Sequence, residues 1–218
     1  MFKDRRDAGQ KLAQALGKFK NTDPLVLAIP RGGVEVGYQV ARCLCADFSI
    51  IVSRKLPFPD NPEAGFGAVA EDGTTFIMPG ATRWLIKSEI EHIIEEQKHE
   101  TKRRIDVLRK GAPLPEIADR ILILVDDGIA MGSTMRVSIE MARKQRAKRI
   151  IVAVPVTGAD TAVDIERIVD EIIVLEKPPW FHAVAQVYEN WHDVSDEEVL
   201  NILSDWEKKN NPPKNNAG

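Results

Sequence analysis

Apolar residues along this chain of 218 residues gather in short unbroken clusters separated by longer stretches of mixed polarity. "LVLAI" (25–29), "SIIVS" (49–53), "ILILV" (121–125), "RIIVAVP" (149–155) and "EIIVL" (171–175) are too continuously apolar for strands with one wet face. They read as strands buried on both faces of a parallel sheet. Between them, helices are predicted near 4–19, 33–46, 86–110, 133–147 and 160–168. Strand and helix therefore alternate, which predicts an α/β fold: an open, doubly wound parallel sheet of about five strands with helices on both faces.

Two stretches break the alternation. Residues 56–80, "LPFPDNPEAGFGAVAEDGTTFIMPG", are dense in proline and turn signals, and Asp72-Gly73 between alternating runs predicts a hairpin. An excursion of this length in a compact domain is expected to be a flexible loop or lid. The end, "KKNNPPKNNAG" (208–218), is polar and expected to be disordered. Repeats and domain boundaries are not evident, so residues 1–207 are expected to form a single domain.

Composition excludes some partners. Lys and Arg total 30 against 33 acids, and the net charge of −3 lacks the basic excess of a dedicated nucleic-acid binder. The start, "MFKDRRDAGQKLAQALG", holds no apolar core of signal-peptide length, and no segment approaches the roughly 18 apolar residues of a membrane span. A soluble, cytoplasmic protein is expected. Cys43 and Cys45 stand two apart on a predicted helix, so their side chains diverge and buried thiols are expected in place of a disulfide.

The chemistry concentrates in "ILILVDDGIAMGSTM" (121–135). Asp126 and Asp127 fall at the carboxyl end of a strand, the edge at which open α/β sheets bind ligands. Gly132-Ser133-Thr134 then leads into a helix, so backbone N–H groups and the positive end of a helix dipole converge on one spot that suits a phosphate. The acids need a different partner, because an anion beside a phosphate repels it. Vicinal sugar hydroxyls, or a magnesium ion that those hydroxyls help to hold, would serve. A phosphorylated ribose satisfies both halves; the competing reading is that the two acids only cap the turn. A Walker A loop is excluded because Ser133 stands where lysine is required, and "GGVEVG" (32–37) lacks the dinucleotide spacing.

"ILILVDDGIAMGST" resembles the signature of type I phosphoribosyltransferases. The resemblance implies that Asp126 and Asp127 bind the ribose hydroxyls of phosphoribosyl pyrophosphate (PRPP) and that Gly128, Ile129, Ala130, Met131, Gly132, Ser133 and Thr134 form the loop for its 5′-phosphate. It also implies that "AIPRGGV" (28–34), with Pro30, Arg31 and Gly32, meets the pyrophosphate, and that Arg54 and Lys55 of "SRKLP" precede a mobile catalytic loop. Arg31, Lys55, Asp126 and Asp127 are then the catalytic set, with Mg2+ as cofactor held by the two aspartates directly or through hydroxyls and water. The family sheet order, 2-1-3-4-5, makes the first and third strands neighbours, so the loops after them flank one crevice.

The whole chain, over about residues 5–204, looks like a group of predicted phosphoribosyltransferases with the pattern "IPRGGV", "RKL", "NPE", "GAVAE", "VDDGIA", "VAVPV", F-x-A-V-x-Q-x-Y-E (181–189) and "VSDEEV", whose acceptor is undefined. The segment 176–207 would close the base side. Its Trp180, Phe181, His182 and Glu189 resemble the base-binding end of hypoxanthine-guanine phosphoribosyltransferases, where an aromatic stacks on the purine and an acid reads its edge; Trp180 and Phe181 could equally close the core. Ala130 stands where the 6-oxopurine enzymes carry an aspartate, and Met131 replaces a small or hydroxylated residue, which argues against ordinary hypoxanthine or guanine salvage.

The remaining candidates weigh less. His92, Glu95, Glu96 and His99 share a helical face but read as a solvated helix, and "ARKQRAKR" (142–149) reads as a soluble surface. The expectation is a phosphoribosyltransferase with PRPP and a nucleobase-like acceptor as partners, no nucleic acid, no membrane, and homodimerisation allowed. The rival is a regulator that keeps the PRPP site without transfer; a hydrolase would need a general base that no motif supplies.

Overall fold

The aliphatic clusters are strands of one parallel sheet in the computed structural model, which describes residues 1–210. In chain order the elements are α1 (Arg5–Ala15), β1 (Leu25–Ala28), α2 (Gly32–Leu44), β2 (Asp47–Ile50), β3 (Ser53–Phe58), β4 (Asn61–Ala70) and β5 (Thr75–Ile77). They continue with α3 (Lys87–Arg109), β6 (Ile121–Val125), α4 (Ser133–Lys144), β7 (Arg149–Val156), α5 (Ala159–Glu166), β8 (Glu171–Glu176) and α6 (Asp196–Asn210). The main sheet runs β2-β1-β6-β7-β8 with every pairing parallel, which is the expected order 2-1-3-4-5.

Unbroken apolar runs are what such a sheet needs, because successive side chains enter opposite cores. Val26, Ala28, Ile123, Val125, Ile151 and Ala153 join the core with α1, α2 and α6, whereas Leu25, Leu27, Leu122, Leu124, Val152 and Val154 join the core with α4 and α5. Each fully buried aliphatic side chain contributes about 1.5–3 kcal/mol.

The second cluster behaves differently from expectation. "SIIVS" does not continue as one strand: β2 ends at Ile50, and Ser53 opens β3 of another sheet. The exit is held by a buried ion pair, with Arg109 Nη2 at 2.8 Å from Glu71 Oε1 and both side chains under a tenth exposed. Glu71 also accepts from the Val52 N–H at 2.9 Å, and Arg109 donates to the Ile50 carbonyl at 3.2 Å. Those partners are distant in sequence, so the local apolar pattern carried no sign of the break.

Residues 56–80, expected as a flexible loop, instead supply most of a three-stranded antiparallel sheet, β3-β4-β5. Leu56, Phe66 and Val69 are buried against Ile93 of α3, and Ala68 and Ala70 face the α4 side. Packing between α3 and α4 turns a proline-rich segment into ordered strands. The hairpin falls where Asp72-Gly73 predicts it, with Gly73 at φ +84° and the Ala70 N–H bonded to the Thr74 carbonyl at 2.8 Å.

Three further corrections concern helices. Cys43 and Cys45 are exposed thiols and not buried ones, because the outward face of α2 and its left-handed C-cap carry them. Helix α6 lies within the segment assigned to the base side, and a capping box announces it: Ser195 Oγ accepts from the Glu198 N–H, and Glu198 Oε2 accepts from the Ser195 N–H at 2.7 Å. The helix also runs to Asn210, three residues into the expected tail, where Lys209 Nζ donates to the Tyr38 hydroxyl at 2.9 Å. The rest of that tail, 211–218, lies outside the described residues. Among the described residues no helix is long and apolar enough to cross a membrane.

Candidate active site

The loops after β1 and β6 meet at the carboxyl edge of the sheet. Their approach is so close that only glycine fits. A Cβ on Gly32 would stand 1.8 Å from Asp127 Oδ2, and one on Gly33 would stand 2.8 Å from Asp126 Cα. The turn "PRGG", which contains a cis Pro30–Arg31 peptide, therefore rests directly on the paired acids.

The two aspartates have different surroundings. Asp126 lines a cavity of about 280 Å³ and accepts the Asp127 N–H at 2.8 Å. Burial, and then the neighbouring Asp127 carboxylate, push its carboxyl well above the usual carboxylate range. Asp127 is also pushed up by burial, but Arg5 counters that, its Nε donating to Oδ2 at 2.8 Å. The Tyr188 hydroxyl donates to the Asp127 carbonyl at 2.7 Å. Burial holds that hydroxyl protonated, with its pKa raised.

Gly128 to Thr134 all line the same cavity. Gly132 precedes α4 with φ +82°, a conformation that glycine adopts without strain, and no side chain caps the helix. The first-turn N–H groups of α4 are thus left for a ligand. One expected donor is removed: the Ile129 N–H bonds the Val156 carbonyl at 2.9 Å. The Thr157 hydroxyl in turn donates to the Ile129 carbonyl at 2.8 Å, so β7 anchors the loop.

The small sheet closes this cavity from the other side. Lys55, Glu63, Gly65 and Gly67 line it, and Lys55 Nζ donates to the Glu63 carbonyl at 2.7 Å. Arg54, one position earlier on β3, points the opposite way, as strand alternation requires, with Nε at 3.3 Å from Gln97 Oε1 of α3. Burial lowers its pKa. Pro30, Arg31 and Gly32 do not line the cavity; Arg31 leans to Asp196 at the start of α6, 3.6 Å away.

The expected base-side residues are not gathered. Trp180 is 80% exposed, His182 and Glu189 lie on the surface, and half-buried Phe181 packs with Val156 and Val187. From that segment it is Val184, part of the F-x-A-V-x-Q-x-Y-E stretch but given no role there, that lines the cavity. Sequence reasoning also missed Arg5 and Tyr188. Arg5 lies far from the signature and in no quoted pattern, whereas Tyr188 stands in the F-x-A-V-x-Q-x-Y-E stretch without a role assigned to it.

Magnesium was tested against these donors. Among the described residues no three acidic, histidine or cysteine side chains form a metal cluster. Magnesium commonly keeps waters and binds through one or two carboxylates plus substrate phosphates. Asp126, half-buried with its carboxyl pushed up, suits that mode, since a nearby cation would favour its ionised form.

Residues 3–190 match the family model described as phosphoribosyl transferase domain. A Mycobacterium tuberculosis protein named "Putative phosphoribosyl transferase" is 37% identical over 205 residues, covering 93% of this chain and 46% of that protein. The chain thus spans about half the length of that curated relative. An Escherichia coli amidophosphoribosyltransferase is 28% identical over 156 residues, covering 70% of this chain and 24% of that protein. The crystal structure of TT1426 from Thermus thermophilus superposes with a TM-score of 0.80 at 36% identity, covering 94% of this chain and 98% of that one.

Proposed function

The chain belongs to the phosphoribosyl transferase domain family, and on that premise we propose that it transfers the 5-phosphoribosyl group of PRPP to a nitrogenous base, with magnesium and with release of pyrophosphate. The observation that carries this reading is the juxtaposition of a half-buried acid, Asp126, with the uncapped start of α4 in one cavity.

The 5′-phosphate sits against the N–H groups and hydroxyls of Ser133 and Thr134, with the turn from Ala130 to Gly132 wrapped round it. Asp126 accepts from ribose hydroxyls, and Asp127 lies beneath the pyrophosphate turn. When bound, magnesium supplies positive charge to the pyrophosphate; Asp126 and Asp127 hold it through hydroxyls or water.

Breaking the bond at C1 leaves positive charge on the ribose and negative charge on the leaving group, so a protein nucleophile is not needed. Lys55 neutralises pyrophosphate from the small sheet, and Arg31 does so from the turn above Asp127 once it swings away from Asp196. Arg54 acts at longer range, its charge contributing to the field on that side. The acceptor enters from the side of Val184, with Trp180, Phe181, His182 and Glu189 closing over it. Placing the base and excluding water are what this wall contributes. Ala130 provides no carboxylate for a purine ring proton, so the base is deprotonated before attack or by solvent. The domain takes in residues 1–207 and the end of α6 up to Asn210, with cytoplasmic nucleobase reuse as its setting.

The test is turnover of isotope-labelled PRPP with magnesium across purines, pyrimidines and related heterocycles, scored for pyrophosphate and a base-linked product. A base-linked product is expected. PRPP binding without product from any base would favour the regulator instead.

A further inference from the structure

Arg5 lies outside every motif, yet it is the most enclosed charge near the site, with a side chain 4% exposed. Its three contacts converge from separate parts of the chain. Nε donates to Asp127 Oδ2 at 2.8 Å, Nη1 donates to the His192 carbonyl at 2.9 Å, and the guanidinium lies 3.8 Å from the centroid of the Trp191 ring. Trp191 packs on Tyr188, whose hydroxyl donates to the Asp127 carbonyl at 2.7 Å. Asp127 is therefore gripped at its side chain and its backbone by one connected group.

The grip determines what Asp127 can do. Oδ2 is occupied by Arg5 and lies under Gly32, within the space that a Cβ there would fill. Among the described residues no ion pair reaches Asp126, and it is the acid of the pair that lines the cavity. Two adjacent acids that look equivalent in sequence thus stand in unlike environments. Arg5 donates its hydrogen bond to Asp127 and reaches Asp126 only at longer range.

We infer that Arg5 is a positioning residue: through Asp127 it fixes the floor of the PRGG turn and leaves Asp126 as the acid that meets the ribose. This rests on the proposed PRPP site. Arg5 itself touches no substrate. It ties α1 and the segment 188–192 to the carboxyl edge of β6, so that Asp127 is held in one orientation before any ligand arrives. Preorganisation of this type lowers the cost of ordering the site on binding.

A double-mutant cycle read by calorimetric PRPP titration in magnesium chloride tests it, using the full chain as wild type, Arg5→Met, Asp127→Asn and the double variant. Melting temperatures are recorded alongside. Arg5→Met is expected to weaken PRPP about 10- to 100-fold, the range seen when a residue that orients a ligand-binding side chain is removed. Asp127→Asn should lose a similar factor, and the double variant should be no weaker than the worse single one, because the two act as one unit.

Arg5→Lys keeps the charge but cannot reach Asp127 and the His192 carbonyl together; it should recover part of the affinity. It also completes the cycle if Arg5→Met does not fold. A merely structural arginine would lower the melting temperature while leaving PRPP affinity of the folded protein within about threefold of wild type, or its loss would multiply with that of Asp127→Asn. Either result overturns the inference while the PRPP site stands. Failure of the wild type to bind PRPP overturns the proposed function and this inference with it.

Discussion

The turn from Asp126 to Thr134 and the segment from Lys177 to Asn190 face the same crevice, but they are held in different ways. In the first, β7 bonds Ile129, Arg5 and Tyr188 grip Asp127, and two glycines fit against the acids with no spare room. In the second, Val184 reaches the cavity while Trp180, His182 and Glu189 remain in solvent. Phosphate and ribose are recognised by backbone groups and buried charges, which have to be in place beforehand. A planar base is gripped by stacking, and aromatic side chains can supply that on closing. On the proposed function, the difference separates a preformed anion site from an acceptor wall that depends on the ligand to assemble it.

The largest expected effect falls on the preformed side. Asp126→Asn should weaken PRPP about 100-fold, as expected for losing hydrogen bonds to a charged group, and calorimetric titration measures it. The same variant should melt at or above the wild type at pH 7. Burial raises the Asp126 pKa, so the stability associated with its neutral form is present below the unfolded-state value and lost as pH rises through the folded-state value. Asparagine removes that loss. A drop in melting temperature with PRPP affinity intact would erase the contrast between the two walls.

Lys55→Ala is expected to have an intermediate effect. The residue is exposed on β3, so the melting temperature should not move; steady-state kinetics should show kcat/KM down about 10-fold, the loss of one charge-assisted contact. A larger effect on KM for the base than on KM for PRPP would move Lys55 to the acceptor wall.

Trp180→Ala should have the smallest effect, raising KM for the base by about 2- to 10-fold, the worth of one aromatic contact, with PRPP affinity unchanged. That experiment sharpens the comparison. Unchanged kinetics toward every accepted base would show that this wall closes without Trp180 and leave Val184 as its contact.

How far the site was legible follows from where its determinants lie in the chain. The paired acids, the glycine turn and the start of α4 are adjacent in sequence, and the physics of strand ends and helix termini places them without further information. Of the adjacent pair singled out in the sequence, Lys55 lines the cavity, whereas Arg54 turns to α3 because neighbouring strand positions face opposite ways. Arg31 stands by α6, a helix whose Ser195–Glu198 capping box was present in the sequence and went unread. Arg5 could not be found locally, since its partner Asp127 is 122 positions away.

By itself, the order of apolar clusters and helical stretches determined the main sheet, because a strand buried on both faces has to be apolar throughout and a parallel neighbour requires a crossover. The signature likewise determined which edge carries the paired acids and the uncapped start of α4. Only the tertiary structure decided that "SIIVS" divides between two sheets, that the proline-rich excursion is ordered, and that the two aspartates are unlike. Each of those depends on a contact between distant segments: Glu71 with Arg109, Phe66 with Ile93, Arg5 with Asp127. Burial makes those contacts strong, and burial is a property of the assembled chain.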